Sequence, residues 1–316
     1  MRSRTSLWPS GVDRDQAEAP LISLSEITEV ELLILKRMRE YTIGEHASRF
    51  HGSGFDFVGL RDWQAGDRFE TIDWPQSSLT NFSPLIIREF EQPSTSSVVM
   101  VADRSLSTRC GIDGVPIAVT IARALATIGM SAVFFQDSIG LVTFDHGFTD
   151  LQGLRPRIGK SQVIQCLDAY QDGQGLQELR HTGDFAASLA GFMRKTTMVP
   201  IISDFLFDGV DALVQELSHL NAVHDVFLGI VDASFAFRLP GVSAGWVEAF
   251  DVESGRSRVM SRRELEAMSD RVRQWQMDVA QTAKRAGMDA LRLESDPTRF
   301  DITLLEWVAE RRLRRR

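Results

Sequence analysis

A short apolar run that ends in a polar triplet is the feature that most constrains this chain. Residues 98–102 read Val-Val-Met-Val-Ala, which has the length and the β-branched character of a buried strand. Asp103, Ser105 and Ser107 follow directly, spaced two residues apart. Ligands bind at the carboxyl ends of strands in open parallel sheets, so we expect these side chains at a binding edge. Carboxylate and hydroxyl oxygens are ligands that suit Mg²⁺.

Composition narrows the class of protein. Of the 316 residues, 43% are hydrophobic and 25% are charged, which is typical of a soluble protein with one large or two modest domains. A formal net charge of −8 argues against nucleic acid as a partner, because phosphate binding needs a basic surface. Two cysteines predict a reducing compartment. No stretch approaches the ~20 apolar residues of a membrane helix, so we predict a cytoplasmic protein without a membrane span.

Strand-like and helix-like segments alternate from Val98 onwards. Apolar segments of strand length lie at 98–102, 131–135, 139–144, 198–203, 223–231 and 289–293, and helical patterns lie at 117–128, 163–170, 185–194, 210–220, 262–286 and from near Arg299. The glycine-containing stretch 153–161 is predicted to be a turn that opens a helix at Ser161. This alternation predicts the α/β fold class with a doubly wound, mostly parallel sheet.

A region of different texture precedes that sheet. Glycines and short apolar runs between residues 44 and 95 predict a small β-rich unit, and a hairpin pattern within 240–261 is assigned to the same unit. The predicted division of the chain is a disordered lead-in at 1–22, an N-terminal helix at 23–43, the β-rich unit at 44–95 plus 240–261, and the α/β domain at 96–239 plus 262–316.

A second acidic loop follows the predicted strand at 198–203. Ser203 and Asp204 stand at its end, as Asp103 stands at the end of the earlier strand. Strands on the two sides of a reversal in strand order bring their carboxyl ends together, so Asp103 and Asp204 are expected to face one crevice. Two close carboxylates repel each other, and a divalent cation neutralises them. Thr182 and Asp184, which precede a predicted helix, offer further oxygens.

These residues resemble a known metal site. Asp103, Ser105, Ser107, the Thr182/Asp184 loop and Asp204 together resemble the metal-ion-dependent adhesion site of von Willebrand factor A-type domains. Further motifs resemble, in the same order, a bacterial family catalogued only as domain of unknown function fifty-eight. They are Gly54-Phe55-Asp56-Phe57, Leu60-Arg61-Asp62-Trp63, Ala65-Gly66-Asp67, Ile72-Asp73-Trp74, Asp137-Ser138-Ile139-Gly140-Leu141-Val142-Thr143-Phe144, Ile201-Ile202-Ser203-Asp204-Phe205 and Asp251-Val252-Glu253-Ser254-Gly255.

The resemblance implies a von Willebrand A-like fold and a set of ligands. It implies that Ser105, Ser107 and Thr182 bind Mg²⁺ or Mn²⁺ directly, and that Asp103 and Asp204 act mainly through bound water. Here glycine separates the threonine from the aspartate, so the position of the third direct ligand stays open. Ser203 and Asp184 are further candidates for the metal or for the groups around it.

The resemblance also implies a role. In such domains one coordination position accepts a carboxylate from a partner protein. Members of the family resemble companions of MoxR-type AAA+ ATPases, which are chaperone-like remodelling machines. The expected function is therefore a Mg²⁺-dependent protein-binding adaptor without catalytic residues, whose partners carry an exposed Asp or Glu.

Three other interpretations stay open. Asp103 and Asp204 could simply cap their loops, because Asp is a common turn residue. A phosphatase of the haloacid dehalogenase type also begins with an aspartate after its first strand. Its acid/base aspartate two positions later is Ser105 here, which disfavours that class. A structural subunit without metal dependence is the third. Trp63 and Trp74, in the β-rich unit, are expected to pack in a core or to form an aromatic surface for a partner.

Overall fold

Helices and strands alternate along most of the chain, as the sequence pattern predicts. The computed structural model describes residues 20–43, 56–64, 67, 69, 72–91, 96–112, 115–145, 148, 150–179, 184–234, 246–251, 256–294 and 297–314. The helices are α1 (Leu24–Ile43), α2 (Trp74–Leu79), α3 (Ile117–Phe134), α4 (Lys160–Asp172), α5 (Phe185–Phe192), α6 (Val210–Asn221), α7 (Arg262–Arg285) and α8 (Pro297–Arg314). The strands are β1 (Asp56–Asp62), β2 (Ile86–Glu91), β3 (Ser97–Asp103), β4 (Gly111–Ile112), β5 (Val115–Pro116), β6 (Ser138–Phe144), β7 (Gln152–Arg157), β8 (Gln177–Glu178), β9 (Thr197–Ser203), β10 (Asp225–Val231), β11 (Trp246–Asp251), β12 (Arg256–Ser261) and β13 (Asp289–Leu293).

The chain divides into two compact units. The larger comprises 1–34 and 96–316, and the smaller comprises 35–95. Hairpin β11–β12 groups with the larger unit, and its last residue, Ser261, is also the N-cap of α7. This grouping differs from the predicted one, in which the hairpin joins the small unit. The domain boundaries otherwise stay a prediction, and most of the predicted lead-in lies outside the described residues.

A seven-stranded sheet forms the centre of the larger unit. Its strand order is β13-β10-β9-β3-β6-β7-β8. The first five strands run parallel, β7 pairs antiparallel with β6, and β8 pairs antiparallel with β7. Every residue of β3, β9 and β10 is buried, because helices cover both faces of a parallel sheet. The predicted α/β class with a mostly parallel central sheet is confirmed.

The strand order reverses between β3 and β9. From β3 the chain builds outwards through β6, β7 and β8, and then returns to add β9, β10 and β13 on the other side. The pairing of Ala102 with Ile202 aligns the carboxyl ends of β3 and β9. A crevice outside such a reversal is the usual ligand site of an open α/β sheet.

Apolar residues of the strands and of the flanking helices form the core. On one face, valines of β3 pack with leucines and phenylalanines of α5 and α6 and with Val279 of α7. On α3, fourteen of eighteen residues are buried. Among the described residues, α3 is the one helix long and apolar enough to cross a membrane, so the expectation that no stretch approaches that length was wrong. Its burial, 78% of the window, is that of a core helix.

Two predicted elements differ from the structure. Residues 131–135, predicted as a strand, belong to the end of α3, where Ser131 Oγ donates to Thr127 O at 2.6 Å. A helix buried on all sides has no polar face, so its sequence resembles a buried strand. Residues 153–157, predicted as part of a turn, lie in β7, an antiparallel strand beside β6. Helix α4 then begins at Lys160, one residue before the predicted start.

The smaller unit contains the two strands that its apolar runs predict. Strands β1 and β2 pair antiparallel, with an irregularity between Phe57 and Gly59. Helix α2 lies between them in sequence and was not predicted. Asp73 caps it by accepting a hydrogen bond from Gln76 N, and Pro75 stands in its first turn, where the missing N–H of proline has no cost.

Candidate functional site

Asp103 ends β3 and joins the two central strands. Its residue is only 2% exposed. Oδ1 accepts the backbone N–H of Ser105 at 2.9 Å, and Oδ2 accepts the hydroxyl of Ser203, the last residue of β9, at 2.6 Å. The tips of β3 and β9 are therefore in direct contact through predicted site residues. Burial in this position makes the carboxylate depend on these donors.

The two serines of the triplet lie together on the loop after β3. Ser105 Oγ and Ser107 Oγ are 2.9 Å apart. That distance is a hydrogen bond, and it also matches the spacing of about 2.9 Å between adjacent oxygens around an octahedral Mg²⁺ with bonds of 2.0–2.1 Å. Ser105 is the N-cap residue of the 3₁₀ turn Leu106–Arg109. The serine pair therefore has the spacing that two direct ligands need.

Asp204 stands on the loop after β9. It is 2% exposed, and its Oδ1 accepts the backbone N–H of Leu206 at 3.0 Å. Ser203 Oγ, besides donating to Asp103, accepts the N–H of Phe205 at 2.9 Å. Phe205 is fully buried with φ 55°, a left-handed conformation that is uncommon for a bulky residue. The loop is thus held in an unfavourable backbone conformation directly after the candidate carboxylate.

Side chains from helix α7 hold the same loop. Gln276 Nε2 donates to Asp204 O at 2.9 Å and to Val231 O at 2.7 Å, and Trp275 Nε1 donates to Phe205 O at 2.8 Å. Gln276 is 2% exposed and sits between Val272 and Val279 on the buried face of α7. Sequence reasoning missed these two residues. Gln276 could have been found from its position, because it is a glutamine at the helical spacing of buried valines.

Helix α4 supports the other loop. The hydroxyl of the fully buried Tyr170 donates to Asp103 O at 3.0 Å. Burial raises the pKa of Tyr170, and the nearby Asp103 raises it further, so the phenol stays protonated and remains a donor. Sequence reasoning also missed Tyr170, because nothing local to it shows that α4 reaches the end of β3.

The structure describes Asp184 but not Thr182. Thr182 lies outside the described residues, so its role as third direct ligand stays a prediction. Asp184 is the N-cap of α5, and its carboxylate accepts the N–H of Ala187 at 2.7 Å. That bond satisfies one of the unpaired donors of the first turn. Asp184 therefore has a structural role at the start of α5.

The two tryptophans predicted as a partner surface lie in the smaller unit. Trp63 follows β1, is partly buried and stacks on Phe69, with ring centroids 5.8 Å apart. Trp74, at the start of α2, is 57% exposed. Of the pair, only Trp74 presents most of its surface to solvent, and the partner surface stays a prediction.

The donor set suits a hard cation better than a soft one. Within the described part of the chain, no group of three or more His, Cys, Asp or Glu side chains is placed to hold a metal ion. The residues at the reversal supply two carboxylates and three hydroxyls instead, all oxygen donors. Mg²⁺ accepts such ligands and usually retains several waters, whereas Zn²⁺ prefers nitrogen and sulfur. The residues present therefore fit Mg²⁺ or Mn²⁺.

Two arginines, Arg104 and Arg109, also follow β3 in sequence. Arg104 stands between Asp103 and Ser105 in sequence, and its Nε is buried. Burial lowers the pKa of its guanidinium, and the charge of Arg109 lowers it further. The two guanidinium groups are therefore close enough for their charges to interact.

A protein-family model matches most of the chain. The model described as "Protein of unknown function DUF58" matches residues 59–286, about 72% of the chain. The chain belongs to the DUF58 family. The match spans part of the small unit, the sheet from β3 to β10 and helix α7, so it includes Asp103, Ser105, Ser107 and Asp204.

Solved structures and curated proteins add little to this assignment. A crystal structure of the pilus adhesin SpaC from Lactobacillus rhamnosus GG matches at 10% identity and a TM-score of 0.37, covering 70% of this chain and 31% of that one. Its open conformation matches at 11% identity and a TM-score of 0.38, covering 84% and 36%. The chain thus spans about a third of that protein. No curated protein matches the chain significantly.

Proposed function

We propose that this DUF58 protein is a Mg²⁺-dependent protein-binding adaptor with a von Willebrand A-like domain. The observation that carries the proposal is the contact between Asp103 and Ser203 at the reversal of strand order, 2.6 Å between oxygens, with the serine pair beside it. This arrangement gathers oxygen donors from two strand ends at the place where open α/β sheets bind ligands.

Ser105 and Ser107 would hold the cation directly, with Thr182 as the proposed third ligand. Asp103 and Asp204 would act mainly through water and by charge. When bound, Mg²⁺ offers an open coordination position to an aspartate or glutamate of another protein. The protein's own residues fix the loops: Ser203 orients Asp103, and α7 holds the loop of Asp204. We further propose that the adaptor acts in the cytoplasm beside a MoxR-type AAA+ ATPase.

Binding to a purified MoxR-type ATPase from the same organism tests this function. Wild type is expected to bind the ATPase in Mg²⁺ and to lose binding in excess chelator. Asp103→Asn is the best variant, because its amide oxygen can still accept one of the two hydrogen bonds and its amide nitrogen can donate to Ser203 Oγ, while the charge is lost. Asp103→Ala is expected to bind no ATPase either. Asp289→Asn is a matched control, since Asp289 begins β13 at the opposite end of the parallel strands.

The other classes make different predictions in the same experiment. A structural subunit would bind the ATPase equally with and without metal. A hydrolase would turn over generic phosphoesters with Mg²⁺, and the turnover would depend on Asp103. Either result contradicts the adaptor proposal.

A further inference from the structure

A cavity of about 430 Å³ adjoins the loop of the candidate metal site. Arg104, Leu106 and Arg109 from that loop line it, together with Phe144 at the end of β6 and the aspartates that follow. Arg104 and Leu106 alternate in sequence with Asp103, Ser105 and Ser107. One loop therefore supplies both the candidate metal donors and part of the cavity wall, and a ligand at one is close to the other.

Arg104 is held in place without a hydrogen-bond acceptor for its Nε. This nitrogen is buried, and no acceptor within the described residues pairs with it. The guanidinium lies against Gly173, the C-cap of α4: a Cβ there would be 2.8 Å from Nη2. Gly173 has φ 81°, a left-handed conformation that favours glycine, and its lack of a side chain leaves room for the guanidinium. The guanidinium is thus pre-positioned, which lowers the entropy lost on binding an anion.

The acidic residues of the cavity already have donors. Asp145 Oδ1 accepts the backbone N–H of Asp150 at 2.9 Å, and Asp150 accepts Gln152 Nε2 at 2.9 and 3.1 Å. A ligand carboxylate that enters the cavity would therefore pair with the arginines, because a guanidinium can bind a carboxylate through two parallel hydrogen bonds. Leu106 and Phe144 add apolar surface to the cavity wall.

We propose that this cavity binds a second carboxylate of the partner. The recognised segment would then be an acidic peptide that presents one carboxylate to the metal position and another to Arg104 and Arg109. The inference rests on the proposed function for the first carboxylate. The second is argued from the cavity alone. The aspartates in the wall oppose a more highly charged group, so a carboxylate is favoured over a phosphate.

Terminally blocked peptides test this directly. The probes are peptides with two glutamates separated by zero to three glycines, and matched peptides in which one glutamate is replaced by glutamine. They are titrated with Mg²⁺ into wild type, Arg104→Gln, Arg104→Lys and Arg109→Gln, and into Arg285→Gln as an exposed control at the end of α7. The Nε–H resonance of Arg104, assigned by its loss in Arg104→Gln, reports occupation of the cavity.

The best two-acid peptide is expected to bind wild type about tenfold more tightly than its one-acid match, since charge-assisted hydrogen bonds are worth that much. Arg104→Gln removes this advantage, Arg104→Lys restores part of it, and the Arg104 resonance shifts in wild type. Inorganic phosphate is expected not to compete. The proposal is overturned if no two-acid peptide binds wild type, if the second acid adds nothing, if both glutamine variants bind like wild type, or if phosphate competes as well as the peptide.

Chelation separates the two proposals. If chelator abolishes peptide binding while Arg104→Gln leaves it unchanged, the cavity proposal fails and the metal site stands. If arginine-dependent binding persists unchanged in chelator, the metal bridge fails and the cavity stands.

Discussion

Asp103 uses one carboxylate oxygen within its own loop and the other between strands. The first bond shapes the loop that carries the serine pair, and the second connects that loop to β9. These contacts are therefore consistent with both interpretations of Asp103, as a loop-capping residue and as a metal-site residue. The two differ in charge: capping needs only acceptor oxygens, whereas a cation needs the negative charge of the carboxylate.

The two cysteines are expected to differ sharply in reactivity. Burial raises the pKa of Cys166 to about 12, whereas Cys110 is partly exposed and lines the cavity beside the site. Only the thiolate is alkylated, so iodoacetamide at about pH 8 should modify Cys110 and leave Cys166 intact until the protein unfolds. Mass spectrometry of peptides from native and urea-treated protein measures this. Native modification of Cys166 at the rate of Cys110 would show that the core around α4 is open.

Residues that follow strands could be predicted, and residues that support them could not. Asp103 and Asp204 were found because each stands at the end of an apolar run. Tyr170 and Gln276 act on the same loops from α4 and α7, far away in sequence. Their roles depend on which helix packs beside which strand end, and that is tertiary information absent from local patterns.

Helix α7 holds the ends of two strands through one amide. Gln276 Nε2 donates to carbonyls that follow β9 and end β10, so a leucine there would leave both without their donor. We expect Gln276→Leu to lower the free energy of unfolding by about 2 kcal/mol or more, because buried unsatisfied carbonyls are costly. Gln274→Leu, on the exposed face of the same helix, should change it little. Urea unfolding measures both, and equal effects of the two variants would contradict the role given to Gln276.

The end of β10 is linked to β13 by a carboxylate with a pH-dependent contribution. Burial raises the pKa of Asp232, but hydrogen bonds from Ser234 and Arg292 outweigh it, and the pKa lies below its ordinary 3.8. The stability that a depressed pKa contributes is present above pH 3.8 and is lost as the pH falls through the lowered value. Wild type should therefore lose more stability than Asp232→Asn between about pH 6 and about pH 3. Urea unfolding at both values tests this, and parallel losses would refute it.

Helix α3 shows where element prediction fails. The residues of α3 are buried on nearly all sides, so its sequence has no polar face that would indicate a helix. The last turn therefore resembles a strand. Strand β7 was missed for the opposite reason, because Gly153 and Pro156 are poor strand formers. An antiparallel strand near the edge of a sheet tolerates both. Length and alternation predicted the long central elements, while the short peripheral ones depended on their neighbours.

At the scale of the whole molecule, the strand order sets the place of the candidate site. Alternating strands and helices predict a doubly wound sheet, and such a sheet has one reversal of strand order. The reversal falls between β3 and β9, the two strands whose ends carry the acidic loops. The alternation of elements predicted the mostly parallel sheet, whereas the strand order is tertiary information that the alternation does not contain. Thr182, the proposed third ligand, lies outside the described residues, and its role stays a prediction.

Direct titration with Mg²⁺ tests the central claim, a cation site between the ends of β3 and β9. Calorimetry of wild type is expected to show one saturable site, with Mn²⁺ competing for it. Asp103→Asn should weaken binding by about tenfold or more, as removal of groups around a metal commonly does, and Asp289→Asn should bind like wild type. Absence of saturable binding to wild type, or equal affinity in Asp103→Asn, would contradict the account.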